Sequence, residues 1–138
     1  MSQASIQTAA IILLVFPTVV WGGVSILTLT VVRRSPYLRD NPLRRRLWIA
    51  GHAHAGVFLV LSLVALVLLQ YAELPEGWQV LVRWAFPGAA ILFAVAFFLS
   101  VLRGDAERPN VLINLAYVGA GLLVAGMITL GVGLLRAA

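Results

Sequence analysis

Between Ile6 and Val32 the sequence carries no charged side chain, and three further stretches, Leu47 to Tyr71, Trp78 to Leu102 and Asn110 to Leu135, carry one between them, Arg83. At 1.5 Å of rise per residue, each stretch as a helix exceeds the roughly 30 Å hydrocarbon core of a bilayer. A chain of 138 residues that is 62% hydrophobic and 11% charged has more apolar surface than a soluble core of that size can hide. The expectation is an all-α integral membrane protein, a single domain over residues 1–138, with spans at about 6–32, 43–71, 78–102 and 110–135. Short connections force antiparallel neighbours, hence an up-down-up-down four-helix bundle.

The connections set the orientation. The first, Arg33 to Arg46, holds six arginines and one acid, and the third adds Arg103 and Arg108, so eight of the ten basic residues fall on one side. Arg83 and Arg136 fall on the other, and the excess of positive charge on cytoplasmic loops places both termini outside. All ten basic residues are arginine, which fits the coding bias of a GC-rich bacterium, so the expected location is a bacterial cytoplasmic (inner) membrane. Residues 1–8 carry no basic side chain, so the first apolar run is expected to stay in the mature protein rather than act as a cleaved signal. Arg33, Arg34, Arg44, Arg45 and Arg46 are expected at anionic lipid headgroups, with docking of a partner or anionic substrate as the other reading. Without a soluble binding fold, this positive charge does not imply nucleic acid.

Within the spans, Asp40 or Asn41 before Pro42 reads as an N-cap with proline at the first helical position. Pro17 and Pro87 are expected to kink the first and third spans. Trp48, Trp78, Trp84 and Tyr71 fall near the expected interfaces, where amphipathic rings anchor a span. In the fourth span Gly119, Gly126 and Gly133 recur every seven residues, a stripe that admits a close backbone. It serves either packing within the bundle or homo-oligomerisation.

The only two histidines, His52 and His54, lie in Gly51-His52-Ala53-His54-Ala55-Gly56, below the cytoplasmic headgroups. Ionisable residues at such depth are costly and face a bundle interior, where they serve a ligand, a proton or a substrate. Thr28, Ser100 and Asn114 fall at a similar level on the other three spans, so a polar layer is expected to converge there, with Asn110 and Arg103 at its mouth. Residues two apart on a helix point about 200° from each other, so the two imidazoles cannot share one ion. A self-contained zinc site lacks ligands. Haem b needs only one axial histidine, and the small neighbours Gly51, Ala53, Ala55 and Gly56 leave space for a macrocycle.

Gly51-His52-Ala53-His54 at the start of the second span, with the third entered through Trp84-Ala85-Phe86-Pro87-Gly88, resembles small four-helix bacterial membrane proteins related to subunit I of haem–copper oxidases. The resemblance implies haem ligation by His52 or His54. The further histidines that build an oxidase's second haem and copper are absent, so a complete oxidase is ruled out. In overall look the chain is also similar to four-span actinobacterial proteins that carry no functional assignment.

With no cysteine, thiolate and iron–sulfur chemistry is excluded. All five acids lie in connections, which disfavours an ion-coupled transporter and leaves no catalytic constellation, so enzyme activity is not expected. Three readings stay open: a haem- or metal-binding component of a membrane redox system, a non-catalytic accessory subunit of a larger membrane complex, and a lipid or quinone binder that uses the kink at Pro87 as its cleft. Expected partners are membrane lipid and either further copies of the chain or a larger complex.

Overall fold

A computed structural model describes residues 1–138. The protein is all-helical: α1 (Gln3–Leu27), a π-helical turn (Thr28–Val32), α2 (Pro36–Arg39), α3 (Pro42–Leu69), α4 (Glu76–Leu99), a 3-10 turn (Val111–Asn114) and α5 (Leu115–Ala137). Four segments are long and apolar enough to cross a membrane: Gln3–Val32, Pro42–Leu69, Glu76–Leu99 and Val111–Ala137. They agree with the expected spans to within about three residues at each end, and helix runs through both Pro17 and Pro87.

Local chemistry explains the ends. Ser2 caps α1 by accepting from the Ser5 amide at 3.2 Å. Asn41 caps α3 by accepting from the Arg44 amide at 2.9 Å, with Pro42 at the first helical position, where its missing N–H costs nothing. The π turn closes with Arg34 in the left-handed region, φ 46°, after which Pro36 starts the one-turn helix α2 that sequence reading treats as plain connection.

Hydrogen bonds between the ends establish the antiparallel order. At one end Tyr37 Oη donates to the Leu102 carbonyl at 2.9 Å and Asn41 Nδ2 to the Ala106 carbonyl at 2.8 Å, tying the first connection to the third. At the other, the Met1 amine donates to Gln70 Oε1 and the Glu73 amide to the Gly133 carbonyl. The arginine-rich connections therefore share one end of the bundle, and the termini share the other.

In cross-section α4 lies between α3 and α5, α1 packs chiefly on the far side of α3, and α1 and α5 do not touch. The core is an α3–α4 seam extended on either flank: Ile12, Phe58, Leu59, Leu66, Ala89 and Ala90 form one apolar cluster, and Ala65, Leu69, Val82, Ala85, Phe86 and Leu130 another. Eight residues of Glu76–Leu99 are buried, against three of the longer Gln3–Val32 segment. Burial of α5 follows its glycines. A Cβ on Gly126 would come within 2.6 Å of Ala85 Cβ, and one on Gly119 within 2.8 Å of Phe93. Gly133 packs on Leu74 in the same way. The Gly119–Gly126–Gly133 stripe is thus packed against α4 and the α3–α4 connection of the same chain, the first of the two readings left open by the sequence.

Candidate functional site

The two histidines leave α3 on opposite sides, as their spacing requires. His54 turns toward α4. Its ring stacks on Phe93 (centroids 5.3 Å apart, 12° between planes) and meets Phe58 and Phe97 edge-on at 5.6 and 5.5 Å. Its Nδ1 lies 2.7 Å from the Ala50 carbonyl one turn back, a distance that fixes Nδ1 as the protonated nitrogen, because a carbonyl only accepts. Gly51, a turn earlier, lets α4 come close: a Cβ there would lie 3.0 Å from Phe97 Cβ.

His52 turns toward α1, where Gly22 and Gly23 form a notch. A Cβ on Gly23 would lie 2.7 Å from His52 Nε2 and 2.9 Å from Cε1, so the imidazole rests on bare backbone. Neither ring nitrogen has a hydrogen-bond partner within the chain. The ring also lines an open groove of about 750 Å³ between α1 and α3, whose other walls include Phe16, Val19 and Val24 on one side and Val57 and Val60 on the other. His52 is the one side chain on this groove with polar atoms.

The expected five-residue polar layer does not converge. No hydrogen bond or ring contact joins any two of His52, His54, Ser100, Asn114 and Thr28. Thr28 Oγ1 donates to the Val24 carbonyl of its own helix at 2.8 Å. Asn114 is exposed on the 3-10 turn. Ser100 is buried with its hydroxyl unpartnered. Asn110, expected at the mouth, instead stitches the end of α4: its amide donates to the Ser100 carbonyl and its Nδ2 to the Leu99 carbonyl. Depth along each span placed these residues at one level; rotation about each helix axis sends them apart.

Three phenylalanine rings surround His54, and Nε2 of His52 lies toward the Gly23 notch. Nowhere do three or more His, Cys, Asp or Glu side chains gather to hold a metal ion. His52 and His54 therefore bring together no ligand set for a metal ion.

The arginine end also differs from expectation at one residue. Arg33, Arg34, Arg45 and Arg46 are exposed, as headgroup contacts must be, but Arg44 is 1% exposed. Its Nε donates to the Val101 carbonyl at 2.9 Å, Nη1 to the Tyr37 carbonyl at 2.6 Å and Nη2 to the Arg103 carbonyl, while its guanidinium carbon sits 4.0 Å from the Tyr37 ring centroid. It ties the two arginine-bearing connections together and is turned inward, away from the surface. Trp48 is half-buried, its ring packed edge-on against Tyr37 and Phe98. Outside the spans, Asp40 accepts from Arg39 Nε at 2.6 Å, and that hydrogen bond holds its carboxyl below the usual range.

Sequence reading passed over Arg83, counted there only as a charge on the far side. It lies inside α4, buried, with Nε unpartnered. The available signal was its position, seven residues past the first residue of the helix.

No protein-family model, curated protein or solved structure matches the chain. What the protein does is read from this geometry.

Proposed function

We propose that the protein is a multi-pass component of a bacterial cytoplasmic membrane, arginine end inside and termini outside, which binds one apolar amphiphile of the quinone or lipid class in the α1–α3 groove, with His52 as its polar anchor. Charge asymmetry supports the orientation. The observation that carries the binding reading is a half-buried imidazole without a partner in the wall of an otherwise apolar groove. Unpartnered at this depth, a polar group costs on the order of 1–3 kcal/mol, which a carbonyl or hydroxyl head of a ligand would recover by accepting from, or donating to, the ring. The groove volume falls within the ordinary range of small-molecule sites, and apolar walls with few convergent polar groups are typical of them. His52 lies six residues past Arg46, about 9 Å deeper along α3, so the head would sit below the inner headgroups and the tail along Val57 and Val60.

The test is organic extraction of protein purified in mild detergent, followed by titration of the stripped protein with a short-chain quinone. A stoichiometric extracted quinone or lipid, bound about tenfold more weakly after His52→Leu, supports the reading. Gly23→Ala should weaken binding similarly, since its Cβ displaces the imidazole. Equal binding by wild type and His52→Leu, a Soret band that depends on His54, or stable co-purification with a larger complex and no small molecule would each replace it.

A further inference from the structure

Two arginines are buried in this protein, and they are treated differently. Arg44, 1% exposed, has all three of its nitrogens matched to backbone carbonyls. Arg83, 8% exposed, has none: Nε is sealed from the outside without a partner, no other atom of the side chain makes a hydrogen bond, and the chain's only ion pairs are Arg39–Asp40 and Arg103–Asp105. Glu73 and Glu76, the acids at that end of the bundle, leave it unpaired. A guanidinium does not escape by losing its proton. Its terminal nitrogens are free of the seal that closes over Nε, so the open part of the group is the donor fork.

A second helix also carries buried polar side chains toward this end. Ile12 of α1 and Ala90 of α4 belong to one apolar cluster, and these two spans run in the same direction. Two turns back along each are Ser5 and Arg83, both toward the end of the bundle that carries the termini. Ser5 and Thr8, 3% and 4% exposed, are the buried polar side chains of α1. Their hydroxyls bond only within α1's first turns, Ser2 Oγ to Ser5 Oγ at 3.0 Å and Thr8 Oγ1 to the Ala4 carbonyl at 2.9 Å. Arg83 is about 10 Å along α4 from Glu76, within reach of headgroup level for a long side chain that runs its stem along apolar surface.

We infer that Arg83 is the anchor of a phosphate-binding site at the end of the bundle that carries both termini. A planar donor fork recognises a phosphate oxyanion bidentately, and at this level the same chemistry is offered by a phospholipid headgroup or by free phosphate. The inference is independent of the His52 groove, which opens elsewhere between α1 and α3.

The test uses the full chain, delipidated in detergent and then reconstituted in nanodiscs of phosphatidylglycerol or phosphatidylcholine, with retained lipid counted by native mass spectrometry. Wild type should hold one phospholipid through delipidation, and Arg83→Gln should lose it at least tenfold more readily. Arg136→Gln, an exposed arginine at the same end, should behave as wild type. Should Arg83→Gln not fold, Arg83→Lys carries the test: it keeps the charge without the fork, and retention must fall several-fold at unchanged helical content. A rise in melting temperature with inorganic phosphate, seen in wild type and lost in Arg83→Gln, would assign the site to free phosphate. Equal lipid retention by wild type and both Arg83 variants together with no response to phosphate overturns the inference, as does loss of a bound protein partner as the sole effect of substitution.

Discussion

Replacing Arg44 with alanine removes three donors at once from the junction of the two arginine-rich connections, and the cost can be built up from their surroundings. A hydrogen bond from a charged donor contributes about 1.5–3 kcal/mol, the upper part of that range applying where water cannot substitute. Only the Nε bond to the Val101 carbonyl is fully buried; those to the Tyr37 and Arg103 carbonyls are partly open, so water takes over much of their role. Counting the first at about 2–3 kcal/mol and the others together at about 1–2 gives a loss of about 3–5 kcal/mol, near the top of what single substitutions do. Arg44→Lys, with one compact ammonium for three separated carbonyls, should lose about half as much. Arg45→Ala and Arg46→Ala, on exposed neighbours, should stay within about 0.5 kcal/mol of wild type. Reversible unfolding in mixed micelles, followed by far-UV circular dichroism, measures all four. If Arg44→Ala unfolds at the same midpoint as Arg45→Ala, the guanidinium is not what joins the connections, and a headgroup role for Arg44 returns.

Two further outcomes follow from the same geometry. Gly126→Val should destabilise by about 1–3 kcal/mol through overpacking against Ala85 and Phe86, whereas Gly121→Ala, which meets nothing within 4 Å, should be neutral or stabilising by up to about 1 kcal/mol; the same unfolding assay decides, and equal effects at the two positions would contradict the α4–α5 packing. The hydrogen bond from Arg39 should make the Asp40 carboxyl titrate below about 3.9 in an NMR pH series and return to that value in Arg39→Gln. Because the folded state depresses this group, the stability it contributes is present above the unfolded value and is lost as pH falls through the folded one. A titration midpoint at or above 3.9 in wild type would refute the pairing.

What could be read in advance, and what could not, divides along the two coordinates of a helical residue. Position along the axis follows from counting at 1.5 Å per residue between caps and charged connections, and Asn41–Pro42, the glycine stripe and the arginine asymmetry all mark it. Rotation about the axis is ordinarily marked by an apolar stripe opposite a polar one, and in lipid that contrast disappears because the exposed face is as apolar as the packed one. Val57 and Phe58 are adjacent and equally apolar, yet one faces outward and the other enters the core. Hence Thr28, Ser100 and Asn114 could be placed level with the histidines while the layer they were expected to form does not exist. Small residues were the surviving rotational signal: Gly22 and Gly23 point to the face that His52 seeks, and Gly119, Gly126 and Gly133 to the face that α4 covers. Arg44 and Arg83 escaped for the opposite reason. Charge in a membrane protein is read as marking the surface, but a side chain long enough to reach carbonyls of neighbouring segments, as Arg44 reaches those of Tyr37, Val101 and Arg103, satisfies the same electrostatic requirement from inside. Arg83, 8% exposed against 1% for Arg44, makes no hydrogen bond within the chain, and it is this difference that the proposed phosphate site rests on.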